Sequence, residues 1–151
     1  MAGAQLATRL AAFRPRAVFF IREGGSTLGR SIAASLEVPS FGIDLCYPHR
    51  RRLDALPRLL RLALWPLKEI AYRATSPRPA RNALDSLPLV ERAVLVDDTA
   101  SSGRTLRAAL ELLEGRGLPR SSLKVAVMRC GARAKEEVDE WITDERVWIS
   151  R

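Results

Sequence analysis

Arg92-Ala93-Val94-Leu95-Val96-Asp97-Asp98-Thr99-Ala100-Ser101-Ser102-Gly103-Arg104-Thr105-Leu106 is the stretch that decides the fold. Its four apolar residues, rich in β-branched valine, read as a buried parallel strand covered on both faces. Two acids end the run, and small or hydroxylated residues lead into a helix. Small residues let a ligand approach the backbone closely, and amide groups at a helix start form an anion site. Acids at the carboxyl end of a strand stand where open α/β sheets place their ligands. A phosphate in the loop and a hydroxylated sugar on Asp97 and Asp98 are the natural occupants.

The same run resembles the phosphoribosyl diphosphate (PRPP) motif of the type I phosphoribosyltransferases. That motif has a hydrophobic strand, two acids, a short loop, Thr-Gly and then Thr. Val94 to Val96, Asp97, Asp98, Ser102-Gly103 and Thr105 match it, with Ser102 in place of the usual threonine. The resemblance implies that Asp97 and Asp98 hold the ribose hydroxyls and a magnesium ion. It also implies that Thr99, Ala100, Ser101, Ser102, Gly103, Arg104 and Thr105 bind the 5′-phosphate end of PRPP. Several purine enzymes of the family carry a further acid in the loop as a proton shuttle. Ser101 stands there in this chain, which marks it as a divergent member.

A second strand–turn–helix precedes this one. Ala17-Val18-Phe19-Phe20-Ile21 is wholly apolar and β-prone, so it reads as a central strand. Arg22-Glu23-Gly24-Gly25-Ser26-Thr27 follows, then a helix to about Leu36. In the family, a Gly-Gly loop at this place binds the pyrophosphate of PRPP. By that resemblance Arg22, Glu23, Gly24 and Gly25 form the pyrophosphate site. Arg22 either adds charge there or sits on the surface, and Glu23 must point away or act through magnesium.

Length and composition agree with one domain spanning residues 1–151, long enough to bury roughly 70% of its unfolded surface. Apolar residues make up 47%, which suits a packed core and argues against disorder. No apolar run approaches the ~20 residues of a membrane span, and the N-terminus lacks the pattern of a signal peptide. Two cysteines cannot build a disulfide framework, so a reduced, cytoplasmic protein is expected. The net charge of +8 fits nucleic acid, an anionic membrane or a polyanionic small substrate, and does not choose between them.

Along the rest of the chain, residues 4–13 read as a short amphipathic helix and Ser40 to Tyr47 as a third strand. Residues 53–74 carry leucines at helical spacing between arginines and lysines, and read as a helical insertion split or kinked by Pro66. Type I enzymes usually place a flexible covering loop here; the proline-broken, basic stretch 75–82 is the candidate for that part. Arg104 to Gly115 is a helix with Leu106, Ala109, Leu110 and Leu113 on its inner face. Ser122 to Arg129 is the next strand. At its end Arg129 faces a base oxygen, the pyrophosphate or solvent. Trp148 either stacks on a base, as an aromatic residue does in purine members of the family, or completes the core. Cys130 reads as a small core residue.

Together these features predict an α/β doubly wound, mostly parallel sheet flanked by helices. The function implied is transfer of ribose 5-phosphate from PRPP to a nitrogenous base, with magnesium as cofactor and a small-molecule acceptor. Family members are commonly homodimers. The alternative is a non-catalytic PRPP or nucleotide sensor with a basic surface for nucleic acid, a partner that the motifs favour less.

Overall fold

The structure is a computed structural model, and it describes residues 2–22, 24–46, 77–79 and 87–144. The first helix, α1 (Ala2–Leu10), buries Leu6, Ala7 and Leu10 at helical spacing and tightens into a 3-10 turn at Ala11–Phe13. Arg14 then takes a left-handed φ of 51° and turns the chain into the sheet. Strand β1 (Ala17–Ile21) is buried at every position, as a central strand covered on both faces must be. Helix α2 (Ser26–Leu36) returns over one face through Leu28, Ile32 and Ala33, and feeds β2 (Ser40–Ile43).

Two minimal strands, β3 (Leu45–Cys46) and β4 (Arg78–Pro79), pair antiparallel in a separate ribbon. The main sheet resumes with β5 (Ala93–Ala100), followed by α3 (Arg104–Gly115), β6 (Leu123–Cys130) and β7 (Glu140–Asp144). Its order is β2-β1-β5-β6-β7, and all four pairings are parallel. That is a doubly wound sheet. The chain leaves β1 toward one edge, then crosses back to β5 and builds toward the other. The reversal opens a crevice at the carboxyl ends of β1 and β5, where folds of this order take their ligands.

The two faces carry separate cores. On one, Phe19, Leu95, Val125 and Val127 pack under Leu106, Leu110 and Leu113 of α3. On the other, Val18, Phe20, Val94 and Val96 pack under Leu6, Leu10 and Ile32 of α1 and α2. Alternate residues of each strand thus serve opposite layers. Burying one such side chain is worth about 1.5–3 kcal/mol, so the acids that follow Val96 in β5 ride on a rigid support.

Two expectations change in detail. The single strand expected from Ser40 to Tyr47 divides at Asp44, which leaves the ladder and pairs with Arg22 at 2.8 Å. The expectation that Asp97 and Asp98 end their strand also gives way, because β5 runs on to Ala100. Its pairing with β1 stops at Val96, but β6 accompanies it further, with Asp97 opposite Val127, Thr99 opposite Arg129 and Ala100 opposite Cys130. The helical insertion at 53–74, most of the basic stretch 75–82, Glu23 and Trp148 lie outside the described residues. Among the described residues no helix is long and apolar enough to cross a membrane.

Candidate functional site

The Gly24–Gly25 turn lies directly against the two acids. A Cβ on Gly24 would fall 2.8 Å from the Asp98 carboxyl carbon and 3.1 Å from Asp97 Oδ1. One on Gly25 would meet the Val96 carbonyl oxygen at 2.6 Å and Asp97 Cα at 3.0 Å. Backbone around Gly25 leaves nothing that can give way, so only glycine permits this approach. The Gly25 N–H donates to the Ile21 carbonyl at 2.8 Å, and the Gly24 N–H shares that acceptor at a long 3.4 Å. One amide of the turn is therefore firmly engaged inside it and the other weakly.

Asp97 is only 6% exposed, yet no described cationic side chain pairs with it. Burial pushes its carboxyl up to about 7. The Asp98 N–H, donating to Asp97 Oδ1 at 2.8 Å, partly offsets this, and the neighbouring Asp98 charge raises it further. Asp98 is half-buried and borders the crevice. A buried acid held near neutrality beside a second acid is an arrangement common at functional sites.

Beyond the acids, the chain turns through an exposed Ser101 and a half-buried Ser102 to Gly103. Gly103 caps α3 with a φ of 72°, the left-handed region that glycine enters without penalty. The Ser102 carbonyl accepts from Arg107 Nη2 at 2.9 Å, and Arg104 Nε lies 3.4 Å from Ser102 Oγ. Arg107 Nε pairs with Glu137 Oε1 at 3.0 Å. The turn thus begins in β5, ends on the N-terminus of α3, and is braced by the connection between β6 and β7.

This geometry has a counterpart in sequence. The phosphoribosyl transferase domain family matches residues 65–150, more than half of the chain. The chain belongs to that family. No curated protein matches it. Among solved structures, the purine phosphoribosyltransferase from Pyrococcus horikoshii Ot3 superposes with a TM-score of 0.68 at 18% identity, covering 95% of this chain and 80% of that one. The APRTase from Giardia lamblia, complexed with 9-deazaadenine, gives 0.65 at 16% identity, with 95% and 77% covered. A hypothetical protein from Neisseria gonorrhoeae with bound ppGpp gives 0.61 at 19% identity, with 97% and 78% covered. At such identities the likeness is one of fold.

In this member of the phosphoribosyl transferase domain family, the sheet brings Gly24, Gly25, Asp97 and Asp98 together, and the turn from Thr99 to Thr105 continues from the acids. Arg129 is exposed on β6, in register with Thr99 on one side and Thr143 on the other. Arg22 is 60% exposed and engaged with Asp44. Sequence reasoning missed Asp44, Arg107 and Glu137. Arg107 had a faint signal, lying one helical turn after Gly103. Glu137 had none, because its partner is thirty residues away along the chain.

Proposed function

We propose that the protein is a phosphoribosyltransferase that moves the ribose 5-phosphate of PRPP onto a nitrogenous base and releases pyrophosphate. The single observation that carries this reading is the close approach of the Gly24–Gly25 turn to Asp97 and Asp98 at the crevice between β1 and β5. Asp97 and Asp98 would hold the ribose hydroxyls, and the turn from Thr99 to Thr105 the 5′-phosphate. The Gly24 N–H, held by the longer of the two bonds to Ile21, is the amide released at least cost toward pyrophosphate. Arg22 would exchange Asp44 for the same group.

In the transfer, the bond from the anomeric carbon to the pyrophosphate oxygen breaks and its electron pair leaves with pyrophosphate. A base nitrogen then bonds to the electron-poor sugar carbon. The protein's share is to position the reactants and to stabilise charge on the leaving group. Arg129 and Trp148 are the candidates for contact with the base. Ser101, where some relatives have an acid, assigns the base's proton to solvent or to the leaving group.

Magnesium fits this donor set in one specific way. The described residues hold no cluster of three or more acidic, histidine or cysteine side chains that could hold a metal. One or two carboxylates with substrate oxygens and water are what this ion ordinarily takes. Asp97 and Asp98 would supply the carboxylates, and a nearby cation would offset the burial that now keeps Asp97 near neutrality. When bound, the ion supplies neutralisation of the pyrophosphate charge.

The test is to mix the protein with PRPP, magnesium and a panel of purine and pyrimidine bases and to measure pyrophosphate. Release that depends on one base supports the proposal, and none with any base refutes it. A second reading, a PRPP or nucleotide sensor, is favoured by Ser101 and by the excess of basic residues, 25 against 17 acidic. It expects PRPP binding without turnover, together with an affinity for nucleic acid that falls as salt rises.

A further inference from the structure

Two side chains thirty residues apart in the chain, Arg107 and Glu137, meet behind the phosphate turn. Arg107 points back along α3, donates Nη2 to the Ser102 carbonyl at 2.9 Å and pairs Nε with Glu137 at 3.0 Å. Glu137 comes from the connection between β6 and β7, where its own N–H is fixed to the Ala134 carbonyl at 3.0 Å. Its Cγ fills the space beside Gly103, 3.1 Å from where a Cβ would be.

The Ser102–Gly103 peptide is trans, as all described peptides are. In a trans peptide the N–H points opposite to the C=O. Whatever holds the Ser102 carbonyl therefore also sets the direction of the Gly103 N–H. A flip of this peptide would reverse both groups and turn an oxygen toward a bound anion. Glycine makes such a flip cheap, because both signs of φ are open to it. Among the described residues, the Arg107 guanidinium donates to the Ser102 carbonyl and so restrains it. Arg107 is itself half-exposed, so its direction depends on Glu137.

We propose that Arg107 and Glu137 form a latch that fixes the Ser102–Gly103 peptide and aims the Gly103 N–H into the phosphate turn. Glu137 is then a positioning residue that acts through Arg107. The latch also ties the phosphate turn to the segment after β6, on the β5 side of the crevice. This inference rests on the phosphoribosyl reading of the turn.

Calorimetry on the full chain, with magnesium present, tests it with two probes in separate titrations: ribose 5-phosphate for the turn and inorganic pyrophosphate for the Gly24–Gly25 side. Glu137→Ala is expected to weaken ribose 5-phosphate about tenfold, the usual scale for a lost charged hydrogen bond, and to leave pyrophosphate unchanged. Arg107→Gln should do the same. The double variant should be no weaker than Arg107→Gln alone, because Glu137 works only through that side chain. Glu137→Gln keeps the chain length and supplies the same readout should the alanine variant not fold. Wild-type affinity in the Glu137 variants, additive losses in the double variant, or equal loss for both probes overturns the latch alone. Failure of the wild-type protein to bind ribose 5-phosphate overturns the phosphoribosyl reading, and the latch with it.

Discussion

Asp97 in β5 and Asp139 just before β7 are two acids of one sheet, two strands and two register steps apart, and their surroundings push them in opposite directions. Asp97, toward the carboxyl end, is nearly sealed from water with a second acid beside it, and burial raises it to about 7. Asp139 is also driven upward by partial burial. Three donors outweigh that effect: the Val125 N–H at 2.8 Å, Lys124 at 2.9 Å and Arg120 at 3.1 Å. Together they hold its carboxyl below the ordinary value. Asp139 is a satisfied structural charge that joins β6 to the start of β7. Asp97 is a charge the fold leaves uncompensated among the described residues, which costs stability unless something else binds there. The difference supports the proposed ligand site at Asp97 without reference to any relative.

The most severe way to break this contrast is to change Asp97 and Asp98 together to Asn. The amides keep the shape, and the new side-chain carbonyl at position 97 can still accept the backbone N–H of position 98, so the fold should survive. Binding of PRPP with magnesium, followed by calorimetry, should fall by more than about a hundredfold, since two charged contacts are lost at once. Retained affinity would remove the ribose and magnesium roles from these acids.

Much of this was legible in the chain itself. Ala17 to Ile21 and Val94 to Val96 announced central strands because every residue in them is apolar, and a strand covered on both faces needs that pattern. The glycines at 24–25 and 103 pointed to turns where side chains do not fit, and the contacts at those positions give the physical reason. Less legible was the length of β5. Acids score poorly as buried strand, yet the ladder to β6 carries them to Ala100, a case of tertiary pairing overriding local preference. The separation of β3 from β2 had the same cause, since nothing in Ser40 to Tyr47 shows that Asp44 will turn aside to Arg22. The latch of Arg107 on Glu137 joins residues that share no pattern, so no spacing rule could reveal it.

Asp97→Asn alone sharpens the contrast through stability. The folded pKa of Asp97, about 7, lies above the ordinary 3.8. Between those values the folded state holds a proton that the unfolded state has lost, so stability is full at acid pH and falls as pH rises toward 7. In magnesium-free buffer the wild-type protein should lose roughly 2–4 kcal/mol across that window from this group. The Asn variant should lack that slope and be the more stable protein at neutral pH. Denaturant titrations of both proteins from pH 4 to 8 measure it. Equal slopes would mean that Asp97 is compensated in solution.

Asp139→Asn carries the opposite sign and the smallest effect. A carboxyl held below 3.8 contributes stability above that value, and the contribution disappears as pH falls through the lowered pKa. The variant keeps one oxygen for the Val125 N–H but loses the charge that Lys124 and Arg120 face. Because both cations are partly exposed and screened, the cost at neutral pH should be about 1 kcal/mol. The gap between variant and wild type should close as pH falls through 3.8 and below. Magnesium and PRPP should leave the gap untouched, because Asp139 is held by Arg120, Lys124 and Val125, two strands away from Asp97. A variant whose deficit changed on adding both would couple Asp139 to the crevice, and the division between a structural acid and a ligand-facing one would fail.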